Sequence, residues 1–304
     1  MVLLRLSLVI GCVALIGAGA CDKKKPVTDT GAVNALDRTN EDKGPVDKTP
    51  LQGVDPGKLS AERQELFYKL VGSLKSPCGK SHSLRTSFAQ DTSCKRAPYA
   101  VKYVLQLLVD EIPDAKVREY YTQKYESKTA PVSFDVSKAP FIGKEDAPVR
   151  LIEFYDYACP ACVAFAPILK KVAADNDGKV VEFFMMFPLE GNHPDSRSAA
   201  QASLAAWQLD RAKWPAFHQM LFDRMPQHNK DFVTKYAAAA GLDAGKFAEA
   251  YQAANTHVTA DQAQGDKGGV KSTPTLFFND RKYEGPMSPE YIGMWIEEEL
   301  AVNR

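Results

Sequence analysis

The sequence predicts an α/β protein preceded by a small helical region. Short, almost wholly apolar runs at residues 149–155, 179–186 and 275–279 have strand length and are rich in β-branched and aromatic residues. A long stretch with helical spacing, residues 196–264, lies between the second and third of these runs. Upstream, residues 59–128 carry helical stripes and no strand pattern. A sheet covered by helices is the layer architecture that such an order builds.

In chain order, residues 1–5 form a short n-region with one positive charge, and residues 6–18 are almost wholly apolar. That run is too short to cross a bilayer core of about 30 Å comfortably. Ala18-Gly19-Ala20 then offers a small-residue cleavage site directly before Cys21. Residues 1–20 therefore read as a signal peptide, which places the mature chain in the periplasm or cell envelope. Cleavage after Ala20 leaves a free cysteine at the new terminus. Alternatively, the segment resembles a bacterial lipoprotein signal in which Cys21 is lipidated and anchors the chain to a membrane. If Cys78/Cys94 and Cys159/Cys162 are pairs, Cys21 is the mature cysteine left over, and lipidation gives it a use. Residues 22–58 are rich in Lys, Asp, Thr, Pro and Gly, and read as a disordered tether reaching roughly 30–35 Å root-mean-square. The 38 Lys and Arg balance the 38 Asp and Glu, so nothing in the charge points to nucleic acid.

In the helical region, residues 61–74 place Leu66, Phe67, Leu70, Val71 and Leu74 on one stripe, with Ser60 as N-cap. Residues 97–112 repeat the pattern with Val101, Val104, Leu105, Leu108 and Val109 inward, and Pro113 opens a third helix through residue 125. Cys78 follows the first helix and Cys94 precedes the second. A structural disulfide between them closes a loop of 15 intervening residues, worth about 3 kcal/mol in the chain-entropy model. A second redox pair is the other reading of the same two cysteines.

In the C-terminal region, residues 132–136 read as a first strand and residues 149–155 as a second. A helix then runs over residues 160–174, and residues 179–186 form a third strand. Strands return at 275–279 and near 281–284, and a last helix starts with Ser288 as N-cap and Pro289 at its first position.

Cys159-Pro160-Ala161-Cys162 sits at the junction of an apolar strand and a helix start. Pro160 falls just inside the helix, where its missing N–H costs nothing. The unpaired N–H groups and dipole of the helix terminus stabilise a thiolate on Cys159, and Cys162 is close enough to resolve a mixed disulfide. The other reading, half of a structural zinc site, needs a second ligand pair. The five histidines, His82, His193, His218, His228 and His257, show no ligand spacing. No metal and no cofactor beyond the cysteine pair is expected.

Residues 141–301 resemble the DsbA family, thioredoxin-fold proteins in which a helical insertion splits the fold. The segment from Glu153 to Cys162, His193-Pro194-x-x-Arg197-x-Ala199-Ala200, and Gly268-Gly269-Val270-x-x-Thr273-Pro274-Thr275 carry the resemblance. It implies a thioredoxin fold over residues 129–304, with Cys159 as the exposed attacking cysteine and Cys162 as the more buried resolving one. It further implies that Pro274 is a cis-proline opposite the CxxC, and that Thr273 beside it meets an extended substrate backbone. Glu153 becomes a buried acid that moves the proton of Cys162, and Asp156 is expected to be solvated. The implied activity is protein thiol–disulfide oxidoreduction, in the oxidase, isomerase or reductase direction, on protein thiols and disulfides with a membrane or periplasmic redox partner. Ala161 stands where strongly oxidising members carry histidine, which implies a weaker oxidant. Residues 74–84 also resemble the thiol-reductase domain of the cytochrome c maturation protein CcmH, whose cysteines are close together, unlike Cys78 and Cys94. A dedicated reductase for cytochrome c maturation is thus one alternative function. A membrane-tethered binding or holding module with a structural disulfide is another.

Overall fold

Residues 45–127 and 131–302 are described in this computed structural model. The expected signal peptide, Cys21 and the tether up to residue 44 lie outside the described residues. The chain joins the folded body before the expected boundary at residue 58. Leu51 is buried in the same apolar cluster as Leu70 and Tyr121, because it and Val54 are apolar residues in an otherwise polar stretch.

Helix α1 (Ala61–Ser73) is capped by Ser60, whose hydroxyl accepts from the Arg63 N–H at 3.3 Å. A short α2 (Leu84–Ala89), capped by Ser83, follows it. Its six residues are too few to show a hydrophobic period, and the sequence did not reveal it. In α3 (Ala97–Val109) the buried stripe is Ala100, Val101, Val104, Leu107 and Leu108. That spacing turns Leu105 half outward and leaves Val109 37 % exposed, against the expectation that both face inward. Helix α4 (Asp114–Tyr121) continues into a π turn over Thr122–Glu126. A disulfide joins Cys78 to Cys94 across a Cα separation of 5.8 Å, tying the turn after α1 to the turn before α3.

Five strands form one sheet: β1 (Phe141–Gly143), β2 (Val149–Tyr155), β3 (Val180–Met186), β4 (Thr275–Phe278) and β5 (Arg281–Lys282), in spatial order β1-β3-β2-β4-β5. The β2–β3 pair is parallel and the other pairs are antiparallel. Helix α5 (Pro160–Asp175) makes the crossover between β2 and β3. Residues 132–136 are not a strand. The Asp135 N–H goes to Gln264 Oε1 at 2.6 Å rather than to a neighbouring strand, and Phe134 lies on Phe154 and Phe277 as a cover for one sheet face.

The helical insertion is α6 (Ser196–Leu209), α7 (Trp214–Asp223), α8 (Lys230–Ala239) and α9 (Ala244–Lys267). Its apolar side chains join Tyr155, Phe184 and Met186 at the end of the sheet that carries the cysteines. Helix α9 approaches so closely at Gly265 that a Cβ there would lie 2.6 Å from the Phe187 ring. The last helix, α10 (Pro289–Val302), is buried on two sides. Ile292, Trp295 and Ile296 pack on the sheet with α5, while Tyr291 and Met294 belong to the core of the N-terminal helices. Among the described residues, no helix is long and apolar enough to cross a membrane.

Candidate active site

Strand β2 runs seven residues and ends beside β3 at the pair Tyr155–Met186. The chain then turns in four residues, 156–159, to the start of α5. Asp156 makes that turn: its carboxylate accepts from the Ala158 N–H at 2.8 Å and the Leu189 N–H at 2.9 Å, and meets His193 Nδ1 at 2.8 Å. Asp156 is therefore buried, not solvated, because the backbone donors of two loops converge on it. Cys159 is the N-cap of α5, with extended backbone angles and its carbonyl accepting the first helical bond, from the Val163 N–H. Pro160 occupies the first helical turn and is exposed.

Cys162 is fully buried, and Cys159 is 7 % exposed. The expected order of exposure is present, but Cys159 is more enclosed than expected because residues 273–274 cover it. The Thr273–Pro274 bond is cis, and the Cys159 thiol donates to the Thr273 carbonyl at 3.4 Å. Both cysteines are unbonded thiols here.

The two thiols differ sharply in acidity. Hydrogen bonding from the Cys162 thiol, assisted by the Thr273 side chain and by the N–H groups of Cys162 and Ala161, holds Cys159 down to about 5, against the opposing effect of burial. Burial pushes Cys162 far above the ordinary thiol range, and the adjacent Cys159 and Glu153 add to the rise. One sulfur is thus a ready thiolate, and the other keeps its proton until something takes it.

Glu153 is buried on β2, and burial together with the carboxyl of Glu182 drives it well above the usual carboxylate range. Glu182 on β3 is equally buried, and burial pushes it up to about 8. In the parallel register Glu153 faces Phe184 and Leu151 faces Glu182, so the two glutamates occupy the same sheet face at diagonal positions. Beside them, the Tyr155 hydroxyl donates to Tyr157 at 2.9 Å, and the Tyr157 hydroxyl lies 2.7 Å from Ser203 Oγ and 2.6 Å from His218 Nδ1. Burial, with Lys170 nearby, pulls His218 down to about 3 and keeps its ring neutral.

The sequence located Cys159, Cys162, Pro160, Glu153, Thr273 and Pro274, and the fold brings them to one end of β2. Cys78 and Cys94 lie instead in the turns between the N-terminal helices. Sequence reasoning missed Glu182, which was readable only as the one acid in the apolar run 179–186. It also missed Asp156 as the ligand of the turn, and the buried Tyr155–Tyr157–His218 group.

The family model described as thioredoxin matches residues 135–298. Disulfide bond formation protein D of Bacillus subtilis is 30 % identical over 179 residues, covering 53 % of this chain and 77 % of that protein. Na(+)/H(+) antiporter NhaA 1 of Mycolicibacterium gilvum is 32 % identical over 148 residues, covering 47 % of this chain. There the chain spans only 24 % of the relative's length. Among solved structures, oxidised BdbD from Bacillus subtilis superposes with a TM-score of 0.52 at 27 % identity, over 57 % of this chain and 99 % of that one. On the matched residues, the sheet split by α6–α9 and the Cys159 junction, the chain belongs to the thioredoxin family, among its DsbA-like members.

Proposed function

We propose that this chain is an extracytoplasmic thiol–disulfide oxidoreductase that exchanges disulfides with proteins through Cys159 and Cys162. The observation that carries the reading is the placement of the two thiols at a single helix start, Cys159 at the N-cap against the carbonyl before cis-Pro274 and Cys162 fully buried in the first turn, with the acidity split that this placement produces. A thiolate that is stable near neutral pH is a good nucleophile and a good leaving group. When a substrate is oxidised, its thiolate attacks Cys159 Sγ of the Cys159–Cys162 disulfide, and Cys162 departs and takes up a proton. A second substrate thiolate then attacks the substrate sulfur of the mixed disulfide and expels Cys159 as thiolate. Two electrons pass from substrate to enzyme, and the reverse sequence reduces or isomerises a substrate disulfide. The disulfide relative from Bacillus supports this chemistry, and a membrane or periplasmic redox protein would return the pair to its working state.

In this reading Glu153 handles the proton of Cys162, and Thr273 and Pro274 present backbone to an extended substrate segment. Cys78–Cys94 is a structural staple for the small helical region, and Cys21 carries the lipid that holds the enzyme at the membrane. The test is insulin reduction and reoxidation of a reduced, unfolded protein, comparing the wild type with Cys159→Ser. The wild type should turn over in at least one assay, and the variant should lose nearly all of that activity. Retention of the wild-type rate by Cys159→Ser would overturn the reading.

A further inference from the structure

A cavity of about 450 Å³ lies between the sheet, α5 and α7. Its inner end holds Glu153 and Glu182, its walls include Ala166, Leu169 and Phe184, and its rim reaches the exposed Lys170, Asp177 and Gln219. The Oε1 atoms of both glutamates are buried and hydrogen-bond to no protein group. Neither carboxyl has an ion-pair partner among the described residues. A carboxyl held this way is not fixed in one ionisation state by a dedicated donor or cation, and a polar-ended space of this size admits water.

We propose that Glu182 acts with Glu153 as one proton-holding pair, and that the cavity between the sheet, α5 and α7 is the route by which the Cys162 proton reaches solvent. This deepens the proposed function and rests on Cys162 being the resolving thiol. Glu182 touches no reacting atom; it acts through Glu153 and is a positioning residue. In the resolving step the Cys162 S–H bond breaks and its proton goes to the ionised carboxylate of Glu153. The freed sulfur electron pair forms the bond to Cys159 Sγ. The bond from Cys159 to the substrate sulfur breaks, and its electron pair leaves on the substrate. The enzyme dithiol loses two electrons and the substrate disulfide gains them. The pair then releases its proton to water in the cavity.

Other groups surround the pair. Tyr155 on β2, Tyr157 in the turn after it, Cys162 and Lys170 on α5, Asp177 in the turn after α5, and His218 on α7 face it or line the same cavity. His218 stays neutral, and Lys170 and Asp177 stand at the exposed rim, which leaves the mutual repulsion of the two carboxyls as the electrostatic effect internal to the pair.

The experiment follows the single-turnover resolution of a mixed disulfide on Cys159 against pH, in the full chain. Glu182→Gln removes the repulsion that opposes ionisation of Glu153, so the midpoint should move to lower pH by about one unit or more. Glu153→Gln should slow the step across the whole range. A Glu182→Gln profile that superimposes on the wild type, or that moves to higher pH, overturns the inference. Failure of the wild type itself to exchange disulfides would overturn the proposed function instead. If Glu182→Gln does not fold, infrared difference spectra between the reduced and oxidised wild type supply the readout. Carboxyl C=O signals from two groups are expected, one of them persisting in Glu153→Gln. A single carboxyl signal that vanishes in Glu153→Gln overturns the pair.

Discussion

The side chains of Lys124 and Glu298, each 1 % exposed, meet at 3.0 Å where the N-terminal helices dock on α10, whereas Glu153 and Glu182 lie buried under α5 with no cation beside either carboxyl among the described residues. The first site gathers opposite charges, although burial pulls Lys124 down to about 7. Arg96 and Arg281 bond to Glu298 and Glu299, the Tyr125 hydroxyl donates to Glu298 at 2.8 Å, and Lys124 Nζ lies 3.4 Å from the centre of the Trp295 ring. Burial works against the charge on Glu298, yet Lys124, Arg96 and Arg281 hold its carboxyl below the usual range. On the sheet face, burial acts on the glutamates unopposed and raises both. One core thus buries charge for two purposes. A network of opposite charges fixes the position of one element on another, and an acid without a cation keeps a proton that can move.

Removing one member from each site should expose that difference, and this is the largest effect expected. Lys124→Met strips the buried ammonium from Glu298 and should destabilise the protein by about 3 kcal/mol, read as a lowered denaturation midpoint with little change in the acidity of Cys159. Glu182→Gln, which removes an acid already raised by burial, should leave stability within about 1 kcal/mol of wild type at neutral pH. Equal losses in the two variants would mean that the two buried sites hold the fold in the same way.

A second test concerns the thiols alone. Alkylation of the reduced protein should label Cys159 with a midpoint near pH 5 and level off above it, while Cys162 stays unreactive until strongly alkaline pH. The sign follows from linkage. A thiol lowered from about 9 to about 5 favours the reduced folded protein fully above 9, partly between the two values, and not at all below 5. The oxidising strength gained from the thiolate should therefore fade as pH drops toward 5, measurable by equilibration with glutathione across that window. Preferential labelling of Cys162, or a Cys159 midpoint near 9, would remove the acidity split.

The sheet and the cysteine junction were legible because their signals are local. A strand-length apolar run, a proline one step inside a helix, and a second proline beside a strand start each mark backbone geometry directly. Residues 132–136 alternate like a strand but end as a cover on the sheet face, since the Gln264 side chain of α9 takes both hydrogen bonds of the Asp135 backbone and the Val132 N–H goes to the Asp280 carbonyl. Asp156 looked like a surface acid because its partners, the Leu189 N–H and His193, arrive from 33 and 37 residues away. Glu153 could be placed on a buried strand, but its meeting with Glu182 depends on the β2–β3 register, which no local pattern states.

The smallest effect expected is at Ala161, exposed in the first turn of α5, where its N–H already supports the Cys159 thiolate. Ala161→His should add a further donor beside the sulfur, lower the Cys159 pKa below about 5 and raise the reduction potential. The gain is about 30 mV for each 1.4 kcal/mol of extra stabilisation of the reduced form. An imidazole at this position is open to water and its charge is screened, so the increment should be modest beside what the Cys162 thiol supplies. The contrast with the buried acids sharpens here. Ala161→His should shift the Cys159 titration and the potential while leaving the pH midpoint of mixed-disulfide resolution unmoved, because that midpoint belongs to Cys162 and the carboxyls. If the potential and the Cys159 pKa both stay at their wild-type values, control of the thiolate lies with Thr273, the Cys162 thiol and the backbone donors, and the third position of the motif is only a surface residue.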